Sequence, residues 1–191
     1  MESQVNRREG ILEAATRLFM QHGYKATSVR QIAEEVGCTE AALYYHFEHG
    51  KRALFGAVIE RSMPDLTTIV DDCRDAMTLH AFIVRVGRGL LCAAQERMIA
   101  QLRWIMAEFG SLSEDERCML YERHLSLRRG LVEQIRRFVD NEAEACQIAW
   151  TVIFVVFGYG QLMLDLNMES VIDFDRDTFL EGLADSLACG R

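Results

Sequence analysis

The residue types best suited to chemistry are concentrated in one stretch, AALYYHFEHGKRAL, which begins at Ala41. Two tyrosines, a histidine and a phenylalanine are adjacent there, and Gly50-Lys51 follows them. His46 and His49 are three positions apart, so one face of a helix would present both to a metal ion. No cysteine or acid completes a recognisable ligand set, and two imidazoles alone are too few. Hydroxyl, imidazole and ammonium donors in one cluster are better suited to holding DNA phosphates.

Motifs for catalysis and for bound cofactors do not occur in the sequence. Gly50-Lys51 is followed by arginine and lacks the upstream glycine of a phosphate-binding G-x-x-x-x-G-K-[ST] loop. No G-x-S-x-G nucleophile motif is present. No E-x-x-H pair marks a di-iron helical bundle. We therefore expect no enzyme, no metal site and no cofactor.

The composition favours a protein made of helices. Its 191 residues include a single proline, and no stretch alternates apolar and polar residues between turn signals. We expect an all-α fold. The net charge is −8, and residues 1–55 hold seven basic and seven acidic residues whereas residues 56–191 hold 14 and 22. Binding to nucleic acid would therefore have to come from a local surface of an acidic protein.

Two features bear on where the protein resides. Six cysteines, none in a C-x-x-C pair, favour free thiols in a reducing cytoplasm, with a redox-sensing cysteine as the alternative. Residues 145–164 carry no charge over a length that can span a membrane. Both flanks of this segment are acidic, so no Lys/Arg bias orients it in a bilayer. We expect this helix to form a domain core or a subunit interface instead.

The stretch ATSVRQIAEEVGCTEAALYYHF has the signals of two short helices joined by a turn. Ser28 and Gln31 form a predicted capping box at the start of the first helix, and a glycine at position 37 ends it. Thr39 is the predicted N-cap of the second helix, where Leu43 and Phe47 lie four apart and face inward. This pattern predicts a helix-turn-helix.

The second of these helices has an outward face suited to DNA. We expect Tyr45 and His46 to point outward, because successive helical positions are about 100° apart and Leu43 and Phe47 occupy the inner face. Short side chains at positions 41 and 42 would let the backbone approach base edges. The alternative is that Tyr44 and Tyr45 are half-buried aromatic residues with no part in binding.

Residues 11–58, ILEAATRLFMQHGYKATSVRQIAEEVGCTEAALYYHFEHGKRALFGAV, resemble the DNA-binding domain of the tetracycline-repressor (TetR) family. The resemblance implies a three-helix domain with a helix-turn-helix at residues 1–55, followed by a helical effector-binding and dimerisation domain at residues 56–191. It also implies a homodimeric repressor that a small, largely apolar effector releases from its DNA operator. A helical small-molecule binding protein without specific DNA readout is the alternative, since residues 1–55 carry no net charge and Glu40 would repel phosphates.

The resemblance also assigns DNA contacts to individual residues. Thr27 and Ser28 would cap the second helix and contact phosphate. The family usually has its lysine three positions after the phenylalanine, but Lys51 is four after Phe47, and we expect Gly50 to absorb the extra residue. The complete set of implied DNA contacts is Thr27, Ser28, Thr39, Glu40, Ala41, Ala42, Tyr44, Tyr45, His46 and Lys51.

An effector pocket and a dimer interface are implied for the C-terminal helices. The subunits would pair through residues 116–139 and 145–166. Glu108 stands in an apolar turn, where a buried carboxylate needs a cationic partner, either a cationic effector or Arg103. The candidate effector-binding residues are Trp104, Glu108, Phe109, Tyr121, Trp150 and Phe154.

Overall fold

The computed structural model describes residues 2–94 and 99–189, which form ten α-helices and no strand, so the expected all-α fold is confirmed. Residues 95–98, at the predicted end of one helix and start of the next, lie outside the described residues. The helices are α1 Glu2–Ala26, α2 Val29–Val36, α3 Glu40–His46, α4 Lys51–Ser62, α5 Thr67–Asp71, α6 Leu79–Ala93, α7 Ile99–Ala107, α8 Glu114–Ile135, α9 Glu142–Tyr159 and α10 Arg176–Ala188.

Three shorter helical turns connect the later helices. Phe109–Ser111 is a 3₁₀ turn between α7 and α8. Gly160–Asp165 continues α9 as a π turn, and Met168–Ser170 is a second 3₁₀ turn before α10.

The described residues divide into two compact units. Unit 1 comprises residues 2–63 and 101–120, and unit 2 comprises residues 64–94, 99–100 and 121–189. The expected functional division at residue 55 does not coincide with these units, because 101–120 pack with the N-terminal helices. The division by function into residues 1–55 and 56–191 stays a prediction.

Unit 1 is held together by apolar residues that recur every three or four positions. On α1, Ile11, Ala15 and Phe19 are fully buried, as expected for the inner face of an amphipathic helix. Gly23 has φ 83° and ψ 161°, so regular helical geometry stops at the glycine where the sequence predicts it. The buried residues from the rest of unit 1 are Ile32, Ala33, Leu43, Phe47, Leu54, Phe55, Val58, Ile59, Met63, Trp104, Ile105, Leu112 and Leu120.

Unit 2 has its core between α6, α8, α9 and α10. One face of α9 is packed into this core, while Trp150 and Phe154 on another face are exposed. α9 therefore contributes to the core on one side and stays open on the other in the single chain. Its buried residues are Ala145, Ile148, Ala149, Val152, Ile153, Val156 and Tyr159.

Among the described residues, Glu142–Leu164 is one helix that is long and apolar enough to cross a membrane, with a mean hydropathy of 1.5. Length and composition alone give that result, and the core helix of a globular domain satisfies the same test. The packing of its inner face into the unit 2 core is consistent with the expected role in a core or interface.

Candidate nucleic-acid interface

The first helix of the helix-turn-helix is fixed at both ends by its own side chains and turns. The Ser28 N–H donates to Gln31 Oε1 at 2.7 Å, and the Gln31 N–H donates to Ser28 Oγ at 3.1 Å. This reciprocal pair is the predicted capping box. Gly37 ends α2 in the left-handed region, with φ 68° and ψ 39°. The glycine allows the sharp turn into α3 without the strain that a Cβ would add.

The second helix is anchored by two buried residues and opens its other face to solvent. Thr39 is the N-cap, and its side chain accepts a hydrogen bond from the Ala42 N–H at 3.2 Å. Leu43 is fully buried and Phe47 nearly so, so the predicted inner face is confirmed. Glu40 and Ala41 at the start of α3 are exposed. A small, accessible helix start is the geometry that a reading helix needs to approach base edges.

The aromatic donors of α3 are exposed to different degrees. Tyr45 is 74% exposed and Tyr44 47%, so neither is a core residue. The imidazole of His46 lies edge-on against the Tyr45 ring, with 5.3 Å between the centroids. His46 is therefore half-buried rather than fully outward. The two side chains form one polar aromatic surface next to the start of the helix.

Gly50 occupies a backbone conformation that favours glycine and has a close neighbour. It lies in the left-handed half of the map, with φ 55° and ψ −130°, and is the N-cap of α4. A Cβ at this position would be 2.6 Å from Cε1 of Tyr44. The glycine therefore lets the Tyr44 ring pack against the turn between α3 and α4.

Lys51 begins α4 and turns its side chain toward the connection between α1 and α2. Its Nζ donates to the Lys25 carbonyl at 3.3 Å and lies 4.4 Å from the centroid of the Tyr24 ring. Partial burial lowers the pKa of Lys51, and the charge of Glu108 opposes that shift. Contact of this ammonium with phosphate stays a prediction.

Thr27 requires a correction. Its side chain is buried, and its hydroxyl donates toward the carbonyl oxygens of Gly23 at 2.9 Å and Leu18 at 3.2 Å. It ties the start of the helix-turn-helix to α1, and the cap of α2 is Ser28 alone. A buried hydroxyl engaged in this way is not available to a phosphate, so Thr27 is not part of the DNA-facing surface.

Two further interactions in unit 1 were not expected from the sequence. Glu108 accepts a hydrogen bond from the Tyr24 N–H at 2.8 Å, directly after the break at Gly23. Arg52 on α4 forms an ion pair with Glu116 and donates to the Ser111 carbonyl at 3.0 Å. Partners so far apart in sequence have no local signal that would pair them. Ser113 and Glu116 form a capping box at the start of α8.

The six candidate effector-binding residues are divided between the two units. Trp104, Glu108 and Phe109 belong to unit 1, whereas Tyr121, Trp150 and Phe154 belong to unit 2. No single site within either unit contains all six.

The three candidates in unit 1 have structural partners. Trp104 is 7% exposed, and its indole N–H donates to the Phe19 carbonyl at 2.9 Å. Its ring packs edge-on against Phe55, at 5.9 Å between centroids. Glu108 accepts from the Tyr24 amide, and Phe109 packs against the unit 1 core. These contacts stabilise the unit that carries the helix-turn-helix, and contact of the three residues with an effector stays a prediction.

The candidates in unit 2 lie on an exposed apolar face of α8 and α9. The rings of Trp150 and Phe154 are stacked, with centroids 5.2 Å apart, and Phe154 is 67% exposed. Tyr121 and Leu125 on α8 are also exposed. We call Tyr121, Leu125, Trp150 and Phe154 the aromatic face. An exposed surface of this kind usually marks a contact with another molecule.

Within residues 2–94 and 99–189, no three histidine, cysteine or acidic side chains are grouped so as to hold a metal ion. All six cysteines are free thiols in the structure.

Known proteins share both the helix-turn-helix and the length of this chain. The family model for bacterial regulatory proteins of the tetR family matches residues 11–58. Nucleoid occlusion factor SlmA of Vibrio cholerae is 34% identical over 141 residues, which cover 69% of this chain and 69% of that protein. The chain belongs to the TetR family of transcriptional regulators. The HTH-type transcriptional regulator LmrA of Bacillus subtilis is 28% identical over 79% of this chain and 82% of its own length.

The TetR fold also extends over the whole chain in solved structures. AibR, in complex with isovaleryl coenzyme A and operator DNA, gives a TM-score of 0.64 at 21% identity. The match covers 95% of this chain and 98% of AibR. At this identity the likeness establishes a common fold for both halves of the TetR-family chain.

Proposed function

We propose that this TetR-family regulator is a homodimeric repressor that reads its operator with α3 and is released by a small-molecule effector. The observation that carries the proposal is the recognition helix itself. It is capped by Thr39, anchored by Leu43 and fully accessible at Glu40 and Ala41. Binding by a local surface of this kind is compatible with a net charge of −8, because salt screens distant charges. As a DNA-binding regulator it would act in the cytoplasm.

Some of the DNA-facing residues are proposed to hold the protein on the phosphates, and others to read the base sequence. Ser28 and Lys51, one at the start of α2 and one at the start of α4, would hold phosphates on either side of the reading helix. Glu40 would accept from a cytosine amino group, since a carboxylate repels phosphate. The remaining members of the proposed surface are Thr39, Ala41, Ala42, Tyr44, Tyr45 and His46.

The aromatic face supports the proposed dimer. A second copy of the chain would cover Trp150, Phe154 and their neighbours on α8, within the expected segments 116–139 and 145–166. A two-fold interface presents the same patch on both subunits, and apolar, aromatic centres are typical of homodimer interfaces. Phe154→Glu should give a monomer in sedimentation velocity. Met77→Glu, at an exposed site of unit 2 off this face, is the control and should remain a dimer.

The effector is proposed to act by shifting the dimer population from one arrangement to another. AibR was crystallised with isovaleryl coenzyme A and operator DNA. Because AibR has a similar fold, its complex supports the proposal of a small-molecule effector for the present protein. An effector that binds one arrangement of the dimer better than another would change the spacing of the two reading helices. Effector and operator would then weaken each other's binding by the same factor.

A mobility-shift titration with DNA from upstream of the protein's own gene tests the central proposal. We expect a specific shift that persists against competitor DNA and weakens steeply as salt increases. Binding that does not distinguish this DNA or neighbouring promoter DNA from random sequence would contradict operator recognition. A thermal-shift screen of small molecules against the same protein would identify effectors, because ligands of the folded state raise stability.

A further inference from the structure

An open cleft of about 570 Å³ lies in unit 2, between the last turns of α8 and the first turn of α9. Four arginines line it in two adjacent pairs, and Glu133 and Glu142 line it as well. Arg128 and Arg129 lie on α8, and Arg136 and Arg137 lie in the turn that directly follows it. We call this feature the arginine cleft.

The arginine cleft is positive although the protein is acidic. Four arginines and two glutamates give it a formal charge of +2 (4 − 2), against −8 for the whole chain. A concave surface lined by charge of one sign concentrates ions of the opposite sign. The cleft is therefore a positively charged surface on an acidic protein. Solubility does not explain this local positive charge.

In the described contacts, most of the guanidinium groups in the cleft have no carboxylate at hydrogen-bond distance. Arg137 donates to neutral acceptors, the carbonyl oxygens of Arg74 and Ala76. The Nη1 atom of Arg128 lies 3.6 Å from the Sγ of Cys146. These contacts orient the two side chains without cancelling their charges.

The other two arginines differ in how closely they are paired. Arg136 comes no closer than 3.6 Å to Glu142 in its ion pair, which is longer than a hydrogen bond. Arg129 is paired with Glu122 at 3.1 Å. Arg128, Arg136 and Arg137 can thus bind an anion, and only the long ion pair between Arg136 and Glu142 would have to break.

We propose that the arginine cleft binds a small molecule that carries a phosphate or diphosphate group. The planar guanidinium group forms two parallel hydrogen bonds with phosphate oxygens. A diphosphate offers enough oxygens and charge for more than one arginine, whereas a single carboxylate does not. The volume falls in the range of ordinary small-molecule sites. This site belongs to unit 2 and the helix-turn-helix to unit 1, so the proposal does not depend on DNA binding. Most of the lining residues fall within the segments 116–139 and 145–166 of the proposed dimer, so the proposal requires that the cleft stays open to solvent in that dimer.

Isothermal titration of the full-length protein with inorganic pyrophosphate at constant ionic strength tests the site. We expect saturable binding with one site per chain. Arg128→Gln/Arg136→Gln should weaken it by at least about tenfold, because each lost charge-assisted hydrogen bond is worth about a factor of ten. Arg123→Gln is the matched control. It removes one positive charge from α8 at a residue that pairs with Asp65, and binding should change less than about twofold.

Two results would overturn the proposal. One is the absence of saturable binding by the wild-type protein. The other is an equal loss in Arg123→Gln, which would indicate non-specific attraction. Arg136→Glu is a second variant, which changes one residue instead of two. It should abolish binding while the far-UV circular dichroism is retained. A mobility shift with operator DNA in the absence of pyrophosphate should be unchanged in Arg136→Glu, which separates this site from the operator surface.

Discussion

The carboxylate of Glu108 accepts a hydrogen bond at 2.8 Å from the backbone N–H of Tyr24, a residue 84 positions earlier in the chain. Tyr24 follows Gly23, where the backbone leaves helical geometry. The Tyr24 ring packs against Phe55 on α4, at 4.3 Å between centroids. Glu108 also favours the charged form of Lys51. One carboxylate therefore fixes the backbone just before the helix-turn-helix and acts electrostatically on the first residue of α4.

Removal of this acceptor should weaken unit 1. We expect Glu108→Ala to lower the free energy of unfolding by about 1 to 2 kcal/mol, because a partly buried N–H loses its partner. Glu108→Gln keeps an acceptor oxygen and should lose less than half as much. Urea denaturation followed by circular dichroism measures both values. Equal stabilities for the wild type and the alanine variant would show that the bond contributes nothing.

A substitution at Gly50 should cost more than the same substitution at Gly37. Both residues have positive φ, 55° and 68°. Gly37 lies in the left-handed helical region, where alanine is strained by about 1 to 2 kcal/mol, whereas Gly50 has ψ −130° and lies outside that region, so alanine is more strained there. Only Gly50 has a neighbour in the way, since nothing lies within 4 Å of a Cβ at Gly37. Gly50→Ala should therefore lose about 1 to 3 kcal/mol more than Gly37→Ala.

Part of the extra cost should disappear when the neighbour is removed. In urea denaturation, Gly50→Ala should cost less in a Tyr44→Ala background than in the wild type, because the clash is with the Tyr44 ring. If Gly50→Ala is equally destabilising in both backgrounds, the packing of Tyr44 on the turn does not restrict this position.

Lys51 should contribute one phosphate contact to operator binding. We expect Lys51→Gln to weaken binding to all DNA sequences similarly and to reduce the slope of log K against log salt by about one. The contact requires the ammonium group to leave the Lys25 carbonyl. Fluorescence anisotropy at several salt concentrations measures the slope. Arg74→Gln, in unit 2, is the control and should leave the slope unchanged. An unaltered slope in Lys51→Gln would remove this residue from the proposed surface.

Ala41 should affect which sequence is bound more than how tightly DNA is held. A larger polar side chain there, as in Ala41→Gln, places a new donor and acceptor at the accessible start of α3. We expect a changed base preference, in selection from a randomised operator library, with the salt slope of the wild type. A uniform loss of affinity across all sequences would indicate that α3 does not lie against base edges.

Local signals in the sequence were sufficient to predict the helix-turn-helix. The capping box of Ser28 and Gln31, the left-handed Gly37 and the N-cap Thr39 each depend on residues a few positions apart. Their physical cause lies within the stretch itself. Burial of Leu43 followed from helical periodicity alone.

The long-range part of the site could not be predicted in the same way. Periodicity shows that Trp104 is apolar and helical, but not which core it joins, and it is unit 1 that contains it. The partner of Glu108 is a backbone amide, which no side-chain pattern identifies. Thr27 was misassigned because a threonine before a helix usually caps it. Here the adjacent Ser28 does so, and the Thr27 hydroxyl is turned into α1.

The stability of unit 2 should fall at high pH because of Tyr159. Its hydroxyl donates to the carboxylate of Glu169, and burial first, then that carboxylate, raises the pKa of Tyr159 to about 12 from 10. The folded state then holds a proton that the unfolded state releases, so the contribution is complete below pH 10 and is lost as pH rises toward 12. Tyr159→Phe should remove this part of the decline, seen as a flatter plot of unfolding free energy against pH.

Glu169→Gln should lower the pH at which Tyr159 begins to ionise, which its ultraviolet absorbance reports. If the wild type and Tyr159→Phe lose stability in parallel between pH 10 and 12, the hydroxyl is not held in this way.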